Sequence, residues 1–202
     1  MLPTKKMPEM NRLALALLMT TFLLAGHALA GTCGDKQLAH TYSAMLKDDQ
    51  ALRGRYIKIL RQENRGDRVD AKEKDRLEAT IFNTDTANQE KLDQLILECG
   101  WPGKLDVNRA TFSAFIIIQH APLDYQLKYF ERVKAANLRG EIPSDKFAWL
   151  VDRILVEQGK PQLYGTEFDY GSNEVAPIAD LANLDRRRAA MGLPPMDRSG
   201  RK

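Results

Sequence analysis

The sequence predicts a mainly all-α fold: one bundle-like helical domain of five to six helices, with a short irregular or hairpin segment near its C-terminus. Two observations carry that expectation. Apolar residues recur at spacings of three, four and seven from about residue 38 to residue 155, as expected for helices that each bury one face. Gly100, Pro102, Pro122, Gly140 and Gly159 stand between these stretches, where helices stop and start.

The first helix carries Leu38, Tyr42, Met45, Leu52, Tyr56 and Ile59 on one stripe. A second runs from about Asp75 to Cys99 with Leu77, Ile81, Leu92 and Leu95, capped by Gly100 and stopped by Pro102. A third, from about Asn108 to Gln119, holds the densest apolar run, Phe115-Ile116-Ile117-Ile118, and is read as the central buried helix. Pro122 suits the first turn of a fourth, which turns Leu127, Phe130 and Val133 inward and ends near Gly140. Ser144 is expected to cap a fifth, with Phe147, Leu150, Val151, Ile154 and Leu155 on its buried side. From Gln162 to Ile178 the periodicity is lost around a Gly171-Ser172-Asn173 turn, which reads as an ordered loop or short hairpin. A short helix around residues 184–191 ends at Gly192, and the chain is expected to fray from Pro194.

Residues 1–30 read as a secretory signal. Lys5, Lys6 and Arg12 precede an apolar run from Leu13 to Gly26, and Ala28-Leu29-Ala30 has the small-x-small pattern of a cleavage site before Gly31. The alternatives are an uncleaved anchor, for which the run falls short of the roughly 20 residues that span a bilayer, and a lipid anchor at Cys33, for which Ala30-Gly31-Thr32 is a poor processing site. The expected organisation is a cleaved leader at 1–30, one helical domain at 31–195 and a flexible tail at 196–202, in a periplasmic or secreted protein with no transmembrane span after processing. The net charge of the whole chain is +3, from 30 basic and 27 acidic residues. The leader holds three of the bases and one of the acids, so the remainder is close to neutral at +1. That leaves no electrostatic footprint for nucleic acid. The mixed-sign run from Asp48 to Glu78 reads as a solvated helix face.

Cys33 and Cys99 remain after cleavage. An even pair in an oxidising compartment is expected to bridge, fastening the new N-terminus to a later helix. The alternative is a reactive thiol, for which no Cys-x-x-Cys is present.

Polar residues that interrupt the apolar stripes are the candidate site. Positions 45, 49 and 52 continue the stripe of the first helix, yet position 49 is Asp49; Asp85 and Asn88 stand on the stripe of the second. A carboxylate facing a core costs several kcal/mol unless it finds partners. These residues therefore form a buried network pinning two helices, or line a polar cleft between them. Arg53, four residues after Asp49, is placed to pair with it. His120 ends the most apolar helix before a proline turn. It reads either as a capping histidine or as a general base or ligand contact, with Gln119 beside it. His40 lies off the stripe and reads as solvated. Asp152-Arg153 sits mid-helix between apolar residues, as a surface ion pair or as a group reaching the core edge. Gln162, Tyr164 and Thr166 cluster hydrogen-bonding groups around Gly165, which permits close backbone approach. No nucleophile elbow, phosphate loop or dinucleotide fingerprint is present, no cofactor is implied, and no metal set can be assembled from the two histidines beyond residue 30 and no spaced acidic loop.

Taken in order, Asp49-Gln50-Ala51-Leu52-Arg53, Gly100-Trp101-Pro102, Gln119-His120-Ala121, Asp152-Arg153 and Gly159-x-x-Gln162-x-Tyr164-Gly165-Thr166 resemble the signature of a bacterial domain-of-unknown-function family, the one numbered sixty-six twenty-four. Leu184-Asp185 through Arg188, with Gly192-Leu193, resembles its C-terminal element. The resemblance implies no activity. It does imply that His120, Asp152, Arg153, Gln162, Tyr164 and Thr166 belong to one recurring constellation. Two positions depart from the pattern: Glu167 stands where the family has Gln, and Pro122 where it often has Asp.

Three functions follow as expectations. The first is a ligand-binding or interaction domain of the cell envelope, whose partner is a small molecule or an envelope protein. The second is a hydrolase with His120 as general base and Asp152, Arg153 or Tyr164 positioning substrate. The third is an inhibitor or immunity-type protein acting through an apolar patch. The sequence names no substrate or oligomeric state.

Overall fold

The structure is a computed structural model that describes residues 33–103, 110–169 and 172–196. The leader, its cleavage site and residues 197–202 of the expected tail lie outside the described residues, as do the expected start of the third helix near Asn108 and Gly171 of the expected turn. Among those described, the chain forms six α-helices and no strands longer than an isolated bridge.

Helix α1 (Asp35–Asn64) carries Leu38, Tyr42, Met45 and Ile59 buried on the expected stripe. It stops at the Arg65-Gly66 turn, where Gly66 takes a φ of 78° that a side chain would resist. Helix α2 (Ala71–Cys99) begins four residues earlier than its apolar pattern implies. The reason is a cap: the Asp70 carboxylate accepts from the backbone N–H of Lys72 at 2.9 Å and of Glu73 at 3.4 Å, satisfying two donors that the first turn leaves free. Gly100 ends α2 as expected, its N–H bonded to the Ile96 carbonyl. A disulfide joins Cys33, just before α1, to Cys99 at the end of α2, with the Cα atoms 5.4 Å apart. The two long helices therefore run antiparallel, stapled at one end.

Helix α3 (Ala110–His120) buries nine of its eleven residues. It touches α1, α2, α4 and α5, so little of its surface is left for water and no polar stripe is needed. Leu92, Leu95, Tyr42 and Met45 pack on it from one side, and Tyr129, Val133, Leu150 and Ile154 complete the same core. Helices α4 (Leu123–Leu138) and α5 (Ser144–Glu157) form a second antiparallel pair across α3.

Two details of this pair differ from the sequence reading. In α4 the buried positions are Gln126, Tyr129, Val133 and Ala136, whereas Leu127 is 47% exposed and Phe130 only partly covered. The helix is rotated toward Gln126 because that amide donates to the Ala121 carbonyl at 2.7 Å and the Glu157 carboxylate at 3.2 Å. Ser144 is not a cap. Pro143 occupies the capping position, and Ser144 is the first helical residue, accepting from Asn137 Nδ2 at 3.1 Å.

Beyond α5 the chain is irregular but tightly bonded. Gln162 pairs with Ile178 in a parallel bridge and Phe168 with Val175 in an antiparallel one. A 3-10 turn (Leu181–Asn183) leads into α6 (Leu184–Ala190). The end expected to fray from Pro194 is held as far as Met196. Arg188 Nε donates to the Pro194 carbonyl at 2.7 Å, and Met196 N–H donates to Asp185 at 3.0 Å. No described helix is long and apolar enough to cross a membrane.

The staple closes a 66-residue separation, and restricting the unfolded chain over such a loop is worth about 3–5 kcal/mol. Replacing both Cys33 and Cys99 by serine is expected to lower the unfolding free energy in urea by about 3 kcal/mol and the thermal midpoint by roughly 6–12 °C. An unchanged denaturation curve would show that the staple is thermodynamically idle.

Candidate functional site

Asp49 is 2% exposed in the middle of α1, and its carboxylate is met from three sides. Gln50 Nε2 donates to Oδ2 at 2.7 Å, Arg53 Nε donates to Oδ1 at 3.0 Å, and His120 Nδ1 lies 2.9 and 3.1 Å from the two oxygens. The Arg53 Nη2 reaches across to α2, donating to both oxygens of Asp85 at 2.9 and 2.7 Å. One guanidinium thus serves two carboxylates on two helices, with a histidine from the third helix beside it.

His120 Nδ1 also lies 2.7 Å from Arg53 Nε, so its tautomer has to be argued. With a proton on Nδ1, that N–H donates to Asp49, and Arg53 Nε–H keeps Asp49 Oδ1 as its own acceptor. Without it, Arg53 Nε–H could donate to the bare nitrogen at 2.7 Å, but both oxygens of a buried carboxylate would then face its lone pair at 2.9 and 3.1 Å, and Asp49 would lose two of its donors. The protonated Nδ1 is therefore assigned, leaving the lone pair on Nε2. Burial is the largest influence on this ring and disfavours its cationic form; the charges of Arg53 and Arg153 act the same way, and together they outweigh the pull of Asp49. His120 therefore titrates below the usual histidine range. Burial alone would raise Asp49, but the hydrogen bond from His120 and the charge of Arg53 hold it below the usual carboxylate range. Asp85 is raised by burial despite Arg53.

Ahead of His120 lies a cavity of about 400 Å³, lined by residues of α3, α5, α6 and the irregular segment. Its apolar walls include Ile116, Trp149 and Phe168; its polar ones are Gln119, His120, Arg153, Thr166 and Glu167. Arg153 and Glu167 form an ion pair at 2.8 Å. Burial raises Glu167 above the usual carboxylate range although Arg153 opposes the shift. Gln119 is buried, donates weakly to the Trp149 carbonyl at 3.4 Å, and leaves its Oε1 without a hydrogen-bond partner.

The cavity wall is shaped from behind by Asp152. Fully buried, its carboxylate accepts from the backbone N–H groups of Leu163, Tyr164 and Thr166 at 2.7–3.1 Å and from the Thr166 hydroxyl at 2.8 Å. A ring of N–H donors around one anion folds the loop tightly, with Gly165 at a φ of 68°. A Cβ there would meet Met196 Sδ at 3.1 Å and Ile178 Cδ1 at 3.2 Å. Gln162, also buried, bonds the Glu167 and Ala176 carbonyls and the Glu167 N–H.

The sequence-derived candidates thus separate into three places. His120, Gln119, Arg153 and Thr166 line the cavity. Asp49, Arg53 and Asp85 stand behind His120, closing the α1–α2 interface as an ion network where an open cleft was one of the two expectations. Asp152, Gln162 and Tyr164 do not line the cavity; Asp152 is not a surface ion pair, because loop N–H groups occupy its oxygens. Asn88 is buried on α2, its Nδ2 without a hydrogen-bond partner. Trp149, Phe168 and Arg188 line the cavity without having been singled out as site residues. Trp149 reads in sequence as one more helix aromatic, and the other two lie where no periodicity marks a face. Among the described residues no cluster of three or more metal-ligating side chains occurs.

Fold and site together define a disulfide-linked, all-α domain whose buried ion network supports a histidine on a cavity wall. The chain belongs to a family of unknown function (DUF6624), which it matches over residues 36–201. No curated protein and no solved structure matches it.

Two outcomes follow from this geometry. Asp152→Asn is expected to cost about 3 kcal/mol, because an amide cannot accept from four donors at once, and to speed amide exchange at Leu163, Tyr164 and Thr166. Wild-type protection at those amides would refute the anchoring role. The second concerns pH. Unfolded His120 takes up a proton near pH 6.5 and folded His120 only at lower pH, so the unfolded state binds more protons in between. Stability from this group is complete above that value and falls as pH drops through the window. Burial sets the direction of the shift, Arg53 and Arg153 add to it, and Asp49 opposes it. Resistance to urea should fall just below pH 6.5 in the wild type and less so in His120→Gln; ring NMR showing titration above the usual histidine value would reverse the sign.

Proposed function

We propose that the domain is an exported cell-envelope protein that binds a small molecule in the cavity bounded by Gln119, His120, Arg153 and Glu167. The observation that carries this reading is a buried cluster of ionisable groups that ends on a cavity wall. Arg53, Asp49 and Asp85 cost desolvation, and their arrangement presents His120 to a cavity of about 400 Å³, within the range of small-molecule sites. A network needed only to join helices has no reason to end there. The cavity has the composition of such sites, apolar walls with a few convergent polar groups. Export rests on the leader-like residues 1–30 and is supported by the disulfide.

A partner-binding surface fits less well. The large exposed apolar side chains are Phe82, Leu97, Leu127, Leu138 and Leu181. Phe82 and Leu97 are about 22 Å apart along α2 and Leu127 and Leu138 about 16 Å apart along α4 at the helical rise, so each pair is spread along its helix.

Native mass spectrometry of the protein purified from its own cells is expected to show a retained small molecule that Arg153→Ala releases. A bound mass kept equally by Arg153→Ala, or protein with no bound mass at all, would overturn this reading.

A further inference from the structure

The supports around His120 do more than fill a cavity wall. His120 Nδ1–H donates to Asp49, so the lone pair is on Nε2, and Gln50 and Arg53 prevent the carboxylate from rotating away. Nε2 has no hydrogen-bond partner among the described residues, while His120 lines the cavity. A water in this cavity can therefore give a hydrogen to Nε2. The Thr166 hydroxyl is committed to Asp152, which leaves water as the nucleophile the cavity can offer.

We propose that the cavity hydrolyses a carboxylic ester, with His120 as general base toward a water molecule; this rests on the cavity being the ligand site. In the first step a water proton moves to Nε2 while the water oxygen bonds to the carbonyl carbon, and the carbonyl π pair moves onto its oxygen. Arg153, on the same cavity, engages Glu167 through Nε and offers the remaining N–H groups of its guanidinium to that oxyanion. In the second step the oxyanion re-forms the carbonyl, the bond to the alkoxy oxygen breaks, and the imidazolium returns its proton to that oxygen. Water and ester are consumed, acid and alcohol are formed, and the ring returns to its starting state. Asp49 stays a carboxylate throughout and neutralises the transient imidazolium. It is a positioning residue, as are Arg53 and Asp85. Ile116, Trp149 and Phe168 give the acyl group an apolar seat and so select an ester with an apolar acyl chain.

p-Nitrophenyl acetate is the probe, with release of nitrophenolate followed in the protein purified from its own cells. His120→Gln is expected to lower kcat at least about 100-fold, the lower end of what a general base contributes, and the wild-type reaction is expected to be slower in D₂O. Asp49→Asn should lower kcat with KM little changed. Independently of any variant's folding, ¹⁵N NMR of the wild-type ring is expected to show Nδ1 protonated and Nε2 bare, and in Asp49→Asn a mixture of tautomers. Hydrolysis no faster than in His120→Gln, a proton on Nε2, or an acyl group trapped on His120 would each overturn the proposal. A retained ligand that Arg153→Ala releases, combined with no ester hydrolysis, would sink the hydrolase and leave the binding reading standing.

Discussion

The architecture turns on one guanidinium. Asp49 is buried in the core-facing side of α1 and Asp85 is half-buried on α2, and Arg53 bonds both. Two carboxylates brought this close in a poorly hydrated interface repel each other. Without the cation between them, α1 and α2 could not meet where they do. Removing one partner of such an arrangement typically costs about 3–5 kcal/mol, because the others are left charged and unpaired. The three helices that carry the network are also those that make the most of the core. Apolar packing supplies the bulk of the stability, and Arg53 sets the register in which that packing occurs.

A second buried anion organises the other half of the molecule by a different chemistry. Asp152 has no cation among its hydrogen-bond donors; backbone N–H groups and one hydroxyl surround it. Such a cage ties an irregular segment to a helix without requiring the segment to be helix or strand. Arg187 and Arg188 then bond its carbonyl groups from the other side, at Leu163, Ala179 and Tyr164. The cavity lies between these two systems, with His120 supported by the first and Thr166 by the second. Its geometry therefore depends on two independently fixed anchors and not on the flexibility of a loop.

The helices were legible in the sequence because apolar periodicity is a local signal, and α1, α2 and α3 follow it closely. Asp49, Asp85 and Asn88 stood out for the same reason: each breaks a stripe it belongs to. The rotation of α4 was not legible, since Gln126 is buried by hydrogen bonds to Ala121 and Glu157, and periodicity assigns a glutamine to the surface. The early start of α2 came from a single capping carboxylate, Asp70, ahead of the first apolar residue. The cavity was legible only in part. His120, Arg153 and Thr166 were marked by their surroundings or by the family pattern, yet that pattern does not distinguish a group facing the cavity from Asp152 or Gln162 just behind it. Asp152 and Arg153 are neighbours in the chain, and adjacent positions on a helix point in different directions. The first is therefore sent inward to the loop and the second to the cavity, a division that only the packing of α5 decides.

The distribution of the two anchors along the chain sets an order of assembly. Cys33 and Cys99 both belong to the first hundred residues, and so do Asp49, Arg53 and Asp85. The cavity, by contrast, needs Arg188 and Leu193 from the far end, and Met196 seated on Gly165. The bonds that join α1 to α2 are therefore local to the first hundred residues, whereas the cavity wall closes only when the last residues are in place. A chain broken off before α6 would retain every residue of the disulfide and of the Arg53 network while lacking Arg188 and Leu193 from the cavity wall.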